Sequence, residues 1–503
     1  MTDQSPKIIT SFQSRLEMET ALRSLGDTGS DWELRQRASE LAQRYGDKVL
    51  PVLLALLDTP QAQLRGGLGH LARDLEREPT VAALRATAHN RALPDQARLA
   101  AITILERFLD VAPEDAMYAG MAAPEQLALG SLREVLLDAQ TDSLVLAEYF
   151  RQLDEEPLDV QLAMVRAARL LDGAEGAELL GMFAQEANKL IAQEALQTLG
   201  MIADPGAGTA LQGLLPNLPL DLRQQAERSL QKLRLRGVAV PVWQKPPADA
   251  RCLASPISGQ GMQALWFALP QADGAVTVLQ VLVNEQQGIL AAHGEHAQGP
   301  AALPAAQPLG TVMQSAADQP LMLEAGLDYG RRRLLAALPA QWGADHPLPP
   351  VYRLLSPLLW RWLPPQPVAA MPDTITAMRA DTARLLEQPA MGSWFLQTPR
   401  IYERAEAVLT GNEAPTAESF TLLVQETVAA ELESGELATD ALQARLHAMA
   451  EWFTLAGDAR NADLALAAAQ TITDDPATHP LLLLMGELGL RLAIINLARG
   501  LVP

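Results

Sequence analysis

Residues 189–206 read KLIAQEALQTLGMIADPG, and this stretch decides the fold. Ala192, Ala195, Leu196 and Leu199 stand at i, i+3, i+4 and i+7, the spacing of one helical face. Gly and Pro follow and end the helix. The same design recurs on either side, as DVQLAMVRAARLLDG at 159–173 and DLRQQAERSLQKLRLRG at 221–237. Working outward, the small or apolar residue inside each such helix forms a series: Ala38, Leu68, Ala101, Leu132, Ala163, Ala195, Ala226. Its steps are 30, 33, 31, 31, 32 and 31 residues. A second series follows three or four residues later, at Leu41, Leu71, Leu105, Ala167, Leu199 and Leu230. Shorter helices lie between, such as VLPVLLALL at 49–57. A period near 31 residues with two helices per unit predicts an α-solenoid.

The pattern resembles HEAT repeats over about residues 30–240. In that family an Asp opens the second helix, an Arg follows, and a small residue packs two or three positions later. Asp31, Arg35 and Ala38 match, as do Asp221, Arg223 and Ala226. Asp159 and Ala163 match without the Arg, with Leu162 nearby, and Leu64 and Arg65 match without a preceding Asp. The unit around Leu132 is placed by spacing. HEAT motifs are degenerate, so the resemblance implies a fold and no chemistry. Some HEAT-like proteins grip damaged DNA with a face of Arg and Lys. Others are lyases that attach bilins to phycobiliproteins, a reading carried here by fold analogy alone.

Proline and charge divide the chain at the same places. Residues 1–240 hold 11 of the 35 prolines, 241–370 hold 17 and 371–503 hold 7. The three segments carry net charges of −10, −1 and −10 within a total of −21. The expected organisation is mainly α. A HEAT-like solenoid takes 1–240, a proline-rich α+β domain takes 241–370, and a helical domain takes 371–503. In the middle segment 263–269, 276–283 and 288–292 read as three strands of an antiparallel meander, with Asp273-Gly274 in the first turn. The run VTVLQVLV at 276–283 is apolar on both faces, so it is expected to be central and covered on both sides. Residues 297–310 read as a low-complexity loop, and 351–363 as a helix cut by Pro357. Helices are expected near 373–388, 399–410, 416–433, 437–456, 460–472 and 480–499, as a bundle or a second, diverged solenoid.

Composition excludes several classes. Acidic residues outnumber basic ones by 60 to 39, against a protein whose work is to hold nucleic acid. One cysteine, Cys252, rules out a disulfide framework and a Cys-rich metal site. No basic n-region precedes an apolar stretch at the N-terminus, so a signal peptide is not expected. Residues 480–498 have the length of a membrane span. Glu487 and Arg491, four apart, suit an ion pair on a helix in water, so a buried C-terminal helix and a cytoplasmic protein are expected.

No catalytic constellation emerges. His293, Glu295 and His296 form HGEH, which is not a zinc-binding spacing, and a turn is the expected structure there. Cys252 has no His beside it in sequence. The glycines at 65–69 and 258–262 lack the strand-then-helix order of a phosphate cradle and suit close packing and turns. Arg331, Arg332 and Arg333 read as a solvated helix start. The carboxylate pairs Glu155-Glu156 and Asp474-Asp475 read as solvent-facing.

The expectation is therefore a non-enzymatic protein–protein interaction scaffold or adaptor. It would use an acidic solenoid surface to meet a protein partner with a basic patch, with no nucleic acid, membrane, metal or cofactor. The alternative is an enzyme or small-ligand sensor with its site in the central α+β segment. The partner, its binding residues and the oligomeric state are not legible.

Overall fold

The computed structural model describes residues 15–27, 31–59, 61–118, 124–240, 243, 245–271, 274–297, 304–314, 321–344, 346–366, 376–411 and 415–501. The described chain is mainly α, with one antiparallel sheet. It divides into two compact units. The first takes residues up to 146 together with 153–172, and the second takes 147–152 and everything from 173 onward.

The first unit is helical. Its helices include Asp31–Tyr45, Ala62–Asp74, Arg77–His89, Asp95–Thr103, Pro124–Ala139 and Leu158–Ala168. Ala38, Leu68, Ala101 and Leu132 are buried inside four of them. Gly69 lies where a Cβ would come 2.5 Å from the Phe108 ring, and Gly67 where one would come 2.9 Å from Leu34. These glycines serve close packing, as the sequence predicts.

The second unit begins with four helices, Gly173–Phe183, Lys189–Leu199, Pro205–Leu214 and Leu220–Leu235. Every second helix is a neighbour: the first packs on the third and the second on the fourth. Hydrogen bonds set the register of the second pair. Gln225 donates to the Gln193 carbonyl at 2.8 Å, Ser229 to Leu196 at 2.9 Å and Arg236 to Gly200 at 3.3 Å. Residue numbers rise together along both helices, so the two run parallel. Ala195 and Ala226 are fully buried in them.

The sheet follows. β1 is Arg251–Ala254, β2 Met262–Pro270, β3 Val276–Asn284, β4 Gly288–Ala297, β5 Val312–Met313 and β6 Met322–Glu324, in the order β4-β3-β2-β1-β6-β5. β2, β3 and β4 are the expected meander. Gly274, with φ +85°, stands in its first turn, and Asp273 lies outside the described residues. In the second turn the Asn284 side chain accepts from the backbone N–H of Gln286 and Gln287, and Gly288 takes φ +88°. β3 has strands on both sides. One face of the sheet carries the helices Leu327–Gln341 and Pro350–Trp360. The first of these sits so close at Gly330 that a Cβ there would lie 2.4 Å from the Cys252 sulfur. On the other face Leu253, Ala268, Val278 and Met322 form a small cluster flanked by half-buried Trp266, Val276 and Met313. That face is therefore covered only in part.

The structure corrects the expected break at Pro357, because the helix Pro350–Trp360 runs straight through it. Proline cannot donate to the carbonyl of Arg353, four residues back. Gln185 Nε2 donates to that carbonyl instead, at 2.9 Å.

After the sheet, helices Pro399–Thr410, Ala417–Ser434, Thr439–Leu455, Ala459–Thr471 and Pro480–Ala498 occur close to their expected places. Pro480–Ala498 is long and apolar enough to cross a membrane. One face of it, including Leu481, Met485 and Leu490, is buried against the rest of the unit. Gly489 lies where a Cβ would meet the Leu396 carbonyl, while Glu487 and Arg491 pair at 2.8 Å on the exposed side. Trp394 and Trp452 donate to the carbonyls of Ile257 and Ala254, tying these helices to the sheet.

Candidate functional site

The structure separates the chemically suggestive residues of the sequence. HGEH is not a turn but part of β4, with His293 opposite Gln280 and His296 opposite Thr277. Strand side chains alternate between faces, so residues three apart point to opposite sides. His293 and His296 therefore cannot share one ion. His296 Nδ1 meets Thr277 Oγ1 at 3.1 Å. No group of three potential ligands gathers anywhere among the described residues.

Cys252 is fully buried in β1, and burial pushes its thiol well above the ordinary range. A thiol held neutral is a poor nucleophile. Among the glycines of 258–262, Gly261 adopts φ +83° in the turn before β2, and Gly259 abuts the Ser393 carbonyl.

The arginine run is not a solvated helix start. Arg331 is 1% exposed and donates to the carbonyls of Leu363 at 2.7 Å and Trp362 at 3.3 Å. Arg332 pairs with Glu451 at 2.7 Å, and Arg333 donates to Gln263 at 2.8 Å. Successive helical residues point about 100° apart, so three adjacent cations serve three different neighbours. Glu156 also departs from expectation, because it is half-buried and ion-paired to Arg107. Asp474 and Asp475 are exposed as expected.

Two cavities lie in the second unit. The first, about 350 Å³, is floored by Met262, Ala264 and Leu282 and walled by Pro389, Ala390, Gly392 and Ser393. Three of its polar side chains, Ser255, Ser258 and Gln263, are already engaged. Ser255 Oγ donates to Pro256 and accepts from the Ala264 N–H, and Ser258 Oγ accepts from the Met262 N–H. Gln263 donates to the Ser255 carbonyl and to the Tyr329 hydroxyl. Burial holds that hydroxyl up at about 12, so it stays protonated at neutral pH. Among the described residues this lining is made of hydroxyls, an amide and apolar groups.

The second cavity, about 290 Å³, is lined by Trp243, Trp360 and Trp362, by Pro216, Pro364 and Pro365, and by Arg223 and Arg331. The Arg331 guanidinium lies 5.2 Å from the centre of the Trp360 ring. Sequence reading missed this site because its residues come from four separate stretches. The only signal in the sequence is the concentration of Trp and Pro between 243 and 365.

No family model, curated protein or solved structure matches the chain.

Proposed function

We propose that the chain is a HEAT-like α-solenoid adaptor of the cytoplasm, which holds a protein partner on the ends of its repeated helices. The observation that carries this reading is a periodic exposure of large apolar residues. Leu158, Leu190 and Leu220 stand at the first or second position of successive second helices, 32 and 30 residues apart. Leu137, Leu170, Met201 and Leu235 stand at the far ends, 33, 31 and 34 apart. All seven are exposed. Single exposed apolar residues are ordinary on any surface. Recurrence in step with the repeat is not, and here it runs through the last three units at one end of the helices and the last four at the other.

Lys189–Leu199 and Leu220–Leu235 are parallel neighbours, which brings like ends together. Leu190 (58% exposed) and Leu220 (70%) stand at one end, with Met201 (47%) and Leu235 (82%) at the other. Such rows are natural anchors, and the acidic residues of the repeats would steer a basic partner toward them.

The test is affinity capture with the full chain, comparing wild type with the double substitution Leu190→Asp and Leu220→Asp. Acidic residues in the first turn of a helix suit its dipole, so the variant is expected to melt like wild type. A stoichiometric partner recovered by wild type and lost by the variant is the expected result. Recovery of that partner by both, or of none by wild type, would sink the reading. The alternative of a ligand site near the sheet is favoured by the second cavity and is developed next.

A further inference from the structure

Among the described residues, the second cavity is short of negative charge. Arg223 and Arg331 both line it. Asp328 is the carboxylate paired with Arg331, at 3.4 Å, and it is itself 43% exposed. Arg223 spends Nη2 on the Leu218 carbonyl at 3.0 Å. The Nε of each guanidinium is buried without a hydrogen-bond partner. A guanidinium does not shed its proton to escape such a place, and an underpaired charge is costly where it is buried, as at Arg331, and to a lesser degree where it is half-buried, as at Arg223. An anion in the cavity would complete the pairing. Around these cations the wall is indole and pyrrolidine, which packs against flat apolar rings. A volume of about 290 Å³ holds about ten non-hydrogen atoms at roughly 30 Å³ each, taking water's share of liquid volume as the scale.

We propose that this cavity binds a small aromatic monocarboxylate, its carboxylate toward Arg223 and Arg331 and its ring among Trp243, Trp360 and Trp362. The site is independent of the adaptor reading and would survive its failure. Bound there, the ligand would bridge the helix Leu220–Leu235, which carries Arg223, and the helix Leu327–Gln341, which carries Arg331.

The probes are phenylacetate and its neutral twin phenylacetamide, titrated calorimetrically into the full chain. The acid is expected to bind at least tenfold more tightly than the amide. Arg223→Gln is expected to abolish that preference, and Trp243→Ala to weaken both probes, each variant keeping the wild-type melting curve. Trp243 lies in the segment between the helices and the sheet, so its truncation leaves both intact even if Arg223→Gln disturbs folding. A peptide ending in a free Phe carboxylate offers the same group from a second source. It should compete at least tenfold more weakly, since its peptide groups would be desolvated against walls of indole and pyrrolidine. Absence of saturable binding at millimolar acid, equal affinity for acid and amide, a preference that survives Arg223→Gln, or equal competition by the peptide would each overturn the proposal.

Discussion

Gln185 holds together more of the second unit than any sequence pattern indicates. Its amide donates to the carbonyls of Gly181 and Arg353, and its oxygen accepts from Asn217 and Ser356. Tyr352 donates to Asn217 at 3.0 Å, and Glu186 next in the chain pairs with buried Arg353, whose guanidinium also lies 5.6 Å from the Phe150 ring. Gln185→Leu would leave the Arg353 carbonyl and the Asn217 amide without these partners. Buried orphans cost about 1–3 kcal/mol, so urea denaturation is expected to show a loss of that order, and an unchanged midpoint would contradict the network's role. His479 supplies a pH test. It is fully buried beside Thr471, and burial, reinforced by Arg379, lowers its imidazole to about 4. In the unfolded chain the group titrates near about 6.5. As pH falls through that window the unfolded state takes the proton first. The stabilisation is therefore complete above about 6.5 and gone by about 4, at no more than about 1.4 kcal/mol per pH unit. His479→Gln is expected to flatten stability against pH there; a parallel curve would show that His479 does not titrate this way.

At the scale of elements, period and burial agreed best in the longer helices and in β3. The series Ala38, Leu68, Ala101, Leu132, Ala195 and Ala226 is buried because each member faces its neighbours along a 3.6-residue period. β3 was legible from its β-branched run, and the structure places it between β2 and β4 with Val278 paired to Ala268 and Glu295. Val278→Pro would remove a ladder donor from an interior strand. A fall in melting temperature of at least about 10 °C is expected, and a shift within error would count against its interior position. β1, β5 and β6 escaped sequence reading because strands of two to four residues carry too little periodicity to stand out. The fourth strand was underestimated for a related reason. HGEH contains glycine and charge, which favour turns locally, yet pairing with β3 extends β4 through Ala297.

At the scale of the whole molecule the charge is the feature that reaches furthest. A net −21 at neutral pH, with −10 in residues 1–240 and −10 in 371–503, leaves the chain repelling acidic surfaces. A basic partner should associate faster at low salt, and the advantage should fade once the Debye length nears about 8 Å at physiological ionic strength. Stopped-flow association of the captured partner is expected to slow at least tenfold between low and high salt, with dissociation little changed. An on-rate indifferent to salt would leave the acidity a matter of solubility.

The repeat spacing, the positions of most helices, the meander and the acidity belong to the sequence by itself, because each follows from periodicity or composition within a short window. The tertiary structure alone decided that Arg331, Arg332 and Arg333 part company, that Pro357 lies unbroken in its helix because Gln185 replaces the missing donor, and that two arginines and three tryptophans from distant stretches close around one cavity. Those outcomes depend on which surfaces meet, and a partner 168 positions away, as Arg353 is from Gln185, leaves no trace in the pattern around a residue.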